Sequence, residues 1–147
     1  MFIALCGACK REIKVVMPDD LPVEIEQYIQ KQRHVVMIYV DSSDCTLCSF
    51  KHLIQWYSAK DEFEKNGIGI LLAFRNSDEK TVIRALRSIG TFRFFFDKGG
   101  KFKAENKVFK YAENNIFVMD RDKNVIMTKS PLQNEKTWNS FIRLITY

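Results

Sequence analysis

The chain has 147 residues, enough for one domain with a real core. Hydrophobic residues make up 46% and charged residues 28%, which argues against disorder, and no apolar run reaches the roughly 18 residues of a membrane span. The net charge of +5 alone would admit nucleic acid, but the basic residues are dispersed and mixed with acids, as in Lys60-Asp-Glu-Phe-Glu-Lys65; no RNA-binding aromatic motif or zinc-finger spacing is present, so no nucleic-acid partner is expected.

Met1-Phe-Ile-Ala-Leu-Cys-Gly-Ala-Cys9 is similar to the tail of a bacterial lipoprotein signal. It is too short, at about five apolar residues, to be a working signal peptide. It is read as the remnant of one, with Cys9 the better lipid-anchor candidate because Gly7 and Ala8 precede it, and Cys6 the lesser. The alternative is an ordinary cytosolic N-terminus with two incidental cysteines. Ile13 to Met17 reads as a short edge strand. Asp19 or Asp20 is placed to cap a helix with Pro22 in its first turn, and Leu21, Ile25, Tyr28 and Ile29 fall on one face. The chain thus divides into an N-terminal segment, 1–19, and one domain, 20–147.

Val35-Val-Met-Ile-Tyr-Val40 is continuously apolar and reads as a buried strand. A helical pattern follows to about Asn66, with Leu47, Phe50, Leu53, Ile54 and Tyr57 as its stripe. Between them stands Cys45-Thr-Leu-Cys48. The spacing lets both sulfurs lie on a first helical turn. A helix N-terminus offers unpaired N–H groups and partial positive charge, which favour the thiolate, the species that attacks disulfides. Ser43, Asp44, Thr46 and Leu47 complete the site loop, and Asp41, Ser42 and Ser43 shape access to Cys45.

Ile68 to Phe74 is a second buried strand. Strand, helix, strand is a βαβ unit, which implies parallel pairing. Ser77 or Asp78 is expected to cap a third helix, to about Ser88, with Val82, Ile83, Leu86 and Ile89 inward. Phe92 to Phe96 reads as a strand. Lys98 to Lys110 carries five lysines and one glutamate and is expected to be a solvated loop or face. Ile116 to Asp120 and Val125 to Lys129 flank a turn-rich centre and form an antiparallel hairpin. A last helix is expected from about Asn134 to Ile145, with Trp138, Phe141, Ile142 and Ile145 on one face.

Three segments carry a resemblance to the thioredoxin-like superfamily: Val35 to Cys48, Ile116 to Val125, and the helix opening Asn134-Glu-Lys-Thr-Trp138. The nearest subgroup is the membrane-anchored, peroxiredoxin-related lipoproteins of Bacteroides-type bacteria. The resemblance spans about residues 20 to 147. It implies an α/β/α sandwich of three layers around a central mixed sheet, closed by a β-hairpin and a C-terminal helix. It also implies Cys45 as attacking thiol, Cys48 as resolving thiol, and Asn114 and Asn115 at the hairpin edge facing them. The implied partner is a protein disulfide or dithiol outside the cytoplasm, with the membrane surface reached through the lipid anchor. No cofactor and no metal are expected.

The chain departs from that pattern in three places. Asp44 replaces the usual aromatic residue before the first cysteine, and its carboxylate opposes the thiolate. Tyr39 stands where reducing members keep a buried carboxylate as proton shuttle. Glu113-Asn-Asn-Ile116 lacks the cis-proline that faces the cysteines; a cis bond without proline costs about 2.5–4 kcal/mol, so a trans bond is expected. These departures favour a rival reading, a binding or scaffold lipoprotein with a structural or vestigial cysteine pair. Peroxide reduction ranks below both, because the Pro and Thr of a peroxidatic setting are absent. A zinc site built from the four thiolates of Cys6, Cys9, Cys45 and Cys48 is disfavoured because 35 residues separate the pairs, against a usual spacing of about 15–20. His52, four residues past Cys48, is placed to tune a thiol or relay a proton, or else to be a plain surface residue. His34 is expected in a loop. Trp56 and Tyr57 are expected to pack rather than bind.

Overall fold

The computed structural model describes residues 12–41, 46–75 and 78–146, with residues 46–51 described as backbone only. Cys6, Cys9, Ser42, Ser43, Asp44, Cys45 and Ser77 lie outside these residues, as do the side chains of Thr46, Leu47, Cys48 and Phe50.

The two continuous apolar runs form the centre of the sheet. Strands β1 (His34–Asp41) and β2 (Ile68–Arg75) pair in parallel, with Val36 opposite Ile70. Strand β3 (Arg93–Phe96) adds in parallel to β2, and β4 (Ile116–Asp120) and β5 (Val125–Met127) add antiparallel beyond β1. The order is β3-β2-β1-β4-β5. β1 and β2 have a strand on each edge and a packed layer on each face, which is why they show no polar alternation. Val35 to Tyr39 and Ile68 to Phe74 are all buried.

Among the described residues, five α-helices cover the two faces: α1 (Val23–Lys31), α2 (Thr46–Lys65), α3 (Glu79–Ile89), α4 (Lys101–Glu105) and α5 (Glu135–Thr146). On one face Val36, Ile38, Ile70, Leu72 and Val118 meet Leu53, Trp56 and Phe63 of α2, Val82 and Leu86 of α3, and Phe141 of α5. On the other, Val35, Met37, Tyr39, Leu71 and Phe117 meet Ile25 and Ile29 of α1, together with Phe102 and Val108. The result is a three-layer α/β/α sandwich with a mixed sheet, as expected. Each large apolar side chain buried in these layers contributes roughly 1.5–3 kcal/mol.

Several local expectations change. Pro22 is the residue before α1 rather than part of its first turn, and its carbonyl accepts the N–H groups of Ile25 (3.0 Å) and Glu26 (3.2 Å). No side chain caps that end. On α2, Ile54 and Tyr57 are 54% and 40% exposed, and Trp56 and Phe63 take the inward places. Tyr57 instead lies edge-on to Phe92 and against Gly90, where any Cβ would run into its ring. Asp78 does cap α3, accepting the Thr81 N–H at 3.1 Å. His34 is the first residue of β1, paired with Ile68 and Asp120, and not a loop residue. The segment Ile13–Met17 makes a single antiparallel bridge, Lys14 to Asn124, rather than a strand, yet Val15 is buried in the core on the α1 side.

The basic stretch 98–110 is not merely solvated. It folds as a 3-10 turn (Lys98–Gly100), α4, and a second 3-10 turn (Lys107–Lys110). Lys98, Lys101, Lys107 and Lys110 are exposed, but Phe102, Asn106 and Val108 are buried beneath them. Asn106 clips the N-terminal segment to this layer: it accepts the Val16 N–H (2.8 Å) and donates to the carbonyls of Val16 (2.9 Å) and Phe102 (2.8 Å).

Candidate active site

β1 delivers the chain to Asp41, and α2 starts five residues later at Thr46. Cys45 belongs to that connection, outside the described residues. Cys48 is the third residue of α2 by backbone, so it stands in the turn whose N–H groups have no intrahelical partner. A 20-residue helix presents the full partial positive charge of its N-terminus there.

A cavity of about 790 Å³ opens beside this junction. Its walls come from Ile38 to Val40 of β1, from His52, Leu53, Gln55 and Trp56 of α2, from Asn114 to Ile116, and from Ser130, Leu132 and Gln133. The two asparagines expected at the hairpin edge therefore share this cavity with His52. His52 is exposed, whereas Trp56 is buried and serves packing, lying edge-on to Phe63.

The hairpin approach is built without proline and without a cis bond. Asn114 and Asn115 have φ of 55° and 58°, and the Ile116 N–H closes back on the Glu113 carbonyl. Two successive positive φ values in a closed four-residue turn are the type I′ geometry, which asparagine tolerates better than any other side-chain-bearing residue. Glu113 is tied to the hairpin by its N–H donating to Thr128 O at 3.0 Å. An Asn-Asn turn thus redirects the chain into β4.

Tyr39 points to the side of the sheet away from α2, into the core that holds Phe102 and Phe95. Its hydroxyl donates to Asp97 Oδ2 at 2.5 Å. Burial, and then that hydrogen bond, push the hydroxyl far above its ordinary value. Asp97 is 4% exposed and also accepts the N–H groups of Phe102 (2.8 Å) and Lys103 (3.1 Å). Lys103 in turn pairs with Asp41 at 3.0 Å and lies 5.4 Å from the Tyr39 ring centroid. The last residue of β1 before the cysteine loop is thereby anchored to α4. Sequence reading missed Asp97 and Lys103; the signal was Asp97-Lys-Gly-Gly100, an acid followed by two turn-forming glycines.

No three His, Cys, Asp or Glu side chains converge on a common point among the described residues; the thiols lie outside that set. Nor, among the described residues, is any helix long and apolar enough to cross a membrane.

No family model matches the chain, and no curated protein matches it in sequence. Solved structures do match in fold. A thiol:disulfide interchange protein from Bacteroides sp. superposes with a TM-score of 0.62 at 12% identity, over 93% of this chain and 88% of that one. The thioredoxin domain of a thiol-disulfide oxidoreductase from Bacteroides vulgatus gives 0.59 at 13% identity, over 79% and 81%. Copper-bound ScoI of Arabidopsis thaliana gives 0.54 at 9% identity, over 82% and 88%. The fold is thioredoxin-like. At these identities the likeness speaks for architecture, and within that thioredoxin-like frame the chemistry has to be argued from this chain's own residues.

Proposed function

We propose that the protein is a thiol–disulfide oxidoreductase that exchanges disulfides with a protein partner. What supports this reading is the sequence Cys45-Thr-Leu-Cys48 falling where β1 ends at Asp41 and α2 begins at Thr46, with a cavity lined by Val40 and His52 on the described residues to either side. Cys45 attacks a partner disulfide as a thiolate favoured by the helix N-terminus, with Asp44 as an opposing charge. Cys48 then displaces the partner and closes Cys45–Cys48. No bound cofactor is required, only an external electron donor or acceptor. Ser43, Asp44, Thr46 and Leu47 frame the attacking sulfur, and Asn114 and Asn115 form the far wall of the partner's groove.

A setting outside the cytoplasm supplies such a protein with disulfides to act on. The fold shared with interchange proteins supports that setting. We further infer a lipid anchor at Cys9 that holds the protein at a membrane surface.

Trapping tests the reading. A Cys48→Ala variant is expected to accumulate a mixed disulfide between Cys45 and a disulfide-bridged peptide, visible by mass after acid quench. A Cys45→Ser variant is expected to form none. If neither variant forms an adduct, exchange is refuted. The second reading, a scaffold whose cysteines form a stable disulfide, draws on the Asn114–Asn115 turn in place of proline and on the Tyr39 hydroxyl held by Asp97. It predicts a cysteine pair that resists mild reductants.

A further inference from the structure

Resolving a mixed disulfide needs a base, because the second thiol attacks as its thiolate and its proton must go somewhere. Two of the described residues that line the cavity are titratable, Tyr39 and His52. The Tyr39 hydroxyl is bound to Asp97 at 2.5 Å, and its ring sits in the core across the sheet from α2. His52 stands on α2 itself, exposed, four residues after Cys48. Positions four apart on an α-helix are surface neighbours, with about 5–6 Å between Cβ atoms. Imidazole is the side chain suited to proton exchange near neutral pH.

Among the described residues that line the cavity, His52 is the one whose titratable side chain stands on α2. β1 contributes Ile38 and Val40 to the cavity besides Tyr39, the turn contributes Asn114, Asn115 and Ile116, and the 130–133 stretch contributes Ser130, Leu132 and Gln133. None of these carries charge. On the helix side the nearest charged residues in the sequence are Asp44 and Lys51.

We propose that His52 is the proton acceptor for Cys48 in the resolving step. This rests on the exchange reading above. In the first step the Cys45 thiolate attacks one sulfur of the partner disulfide. The Cys45–partner bond forms, the partner's S–S bond breaks, and the electron pair departs on the other partner sulfur. In the second step the Cys48 proton passes to His52, and the Cys48 sulfur attacks Cys45. The Cys45–Cys48 bond forms as the Cys45–partner bond breaks. The electron pair leaves on the partner sulfur, which takes the proton back from the imidazolium. The partner gains two electrons, the dithiol loses them, and His52 is unchanged.

The test uses the full chain, reduced, mixed rapidly with a peptide dimer joined by one disulfide and quenched in acid at intervals. Both the formation and the decay of the mixed disulfide are followed by mass. His52→Gln is expected to leave formation within about twofold and to slow decay at pH 7 by about 100-fold, the lower end of what a positioned base supplies. Added imidazole is expected to restore part of the lost rate. Coincident decay of wild type and variant would overturn the proposal, as would a slowed variant that imidazole leaves unchanged. A wild-type protein that forms no mixed disulfide would instead overturn the exchange reading, and the proposal with it.

Discussion

On the α2 side of the sheet, three helices of 11 to 20 residues bury the apolar Leu53, Trp56, Phe63, Val82, Leu86 and Phe141, and the polar residue they bury, Thr137, is bonded to Asn134 at the start of α5. On the α1 side the described cover is α1, of nine residues, with the five-residue α4 and short 3-10 turns, and polar groups are buried among the apolar ones: Tyr28, Tyr39, Asp97 and Asn106. The difference follows from backbone accounting. A long helix satisfies its own N–H and C=O groups, so an apolar stripe is enough to seat it. Short turns leave backbone groups without partners, and side chains must supply them. Asp97 takes two N–H groups at the start of α4, and Asn106 takes three backbone groups of Val16 and Phe102; at the sheet itself, Tyr28 of α1 takes the Ile70 N–H at 3.0 Å, one residue before β2 begins to pair with β3.

If this contrast holds, the two faces answer differently to substitution. Phe63 packs against Trp56, Trp138 and Phe141 at centroid distances of 5.7–5.9 Å. Phe63→Ala is expected to cost about 3–5 kcal/mol by denaturant unfolding, while Phe63→Leu, which keeps the apolar character, should cost clearly less. On the other face, removing a polar group should hurt although no large volume is lost. Asp97→Ala orphans the Tyr39 hydroxyl and two backbone N–H groups, and is expected to cost about 2–4 kcal/mol. Asp97→Leu, an apolar side chain in an apolar layer, should rescue nothing; recovery of stability by that variant would break the comparison.

The smallest expected effect is a pH slope. Burial, and then the Arg33 guanidinium, hold His34 below the ordinary imidazole value of 6.5, against the opposing pull of Asp120. As pH falls through that value the unfolded chain takes up a proton that the folded chain resists. Stability present above it is therefore lost on the acid side. His34→Gln should flatten the dependence of unfolding free energy on pH just below neutrality. A slope unchanged by the substitution would mean that the acid sensitivity comes from the carboxylates instead.

The same contrast governs what could be read from sequence. β1 and β2 announce themselves as unbroken apolar runs, and the site loop announces itself because Cys-x-x-Cys falls between such a run and a helical pattern. The 97–110 stretch hides its construction. Its five lysines dominate the composition, while the inward residues Phe102, Asn106 and Val108 follow no single period, because α4 and two 3-10 turns meet there. The stripe on α2 departs from expectation for a related reason: over 20 residues Trp56 and Phe63 carry the seam, and Ile54 and Tyr57, adjacent in pattern, face out. Asn114-Asn115 is legible as a type I′ dipeptide, but attention to the missing proline conceals it.

The proposed exchange by Cys45 and Cys48 is the centre of the account, and the pair's reduction potential tests that most directly. The purified protein would be equilibrated against a glutathione or dithiothreitol series, with Cys45→Ser as control. The account predicts a reversible two-electron transition between about −120 and −270 mV that the control lacks, in the range of exchange enzymes. A pair that stays oxidised below about −300 mV, as structural disulfides do, would contradict it.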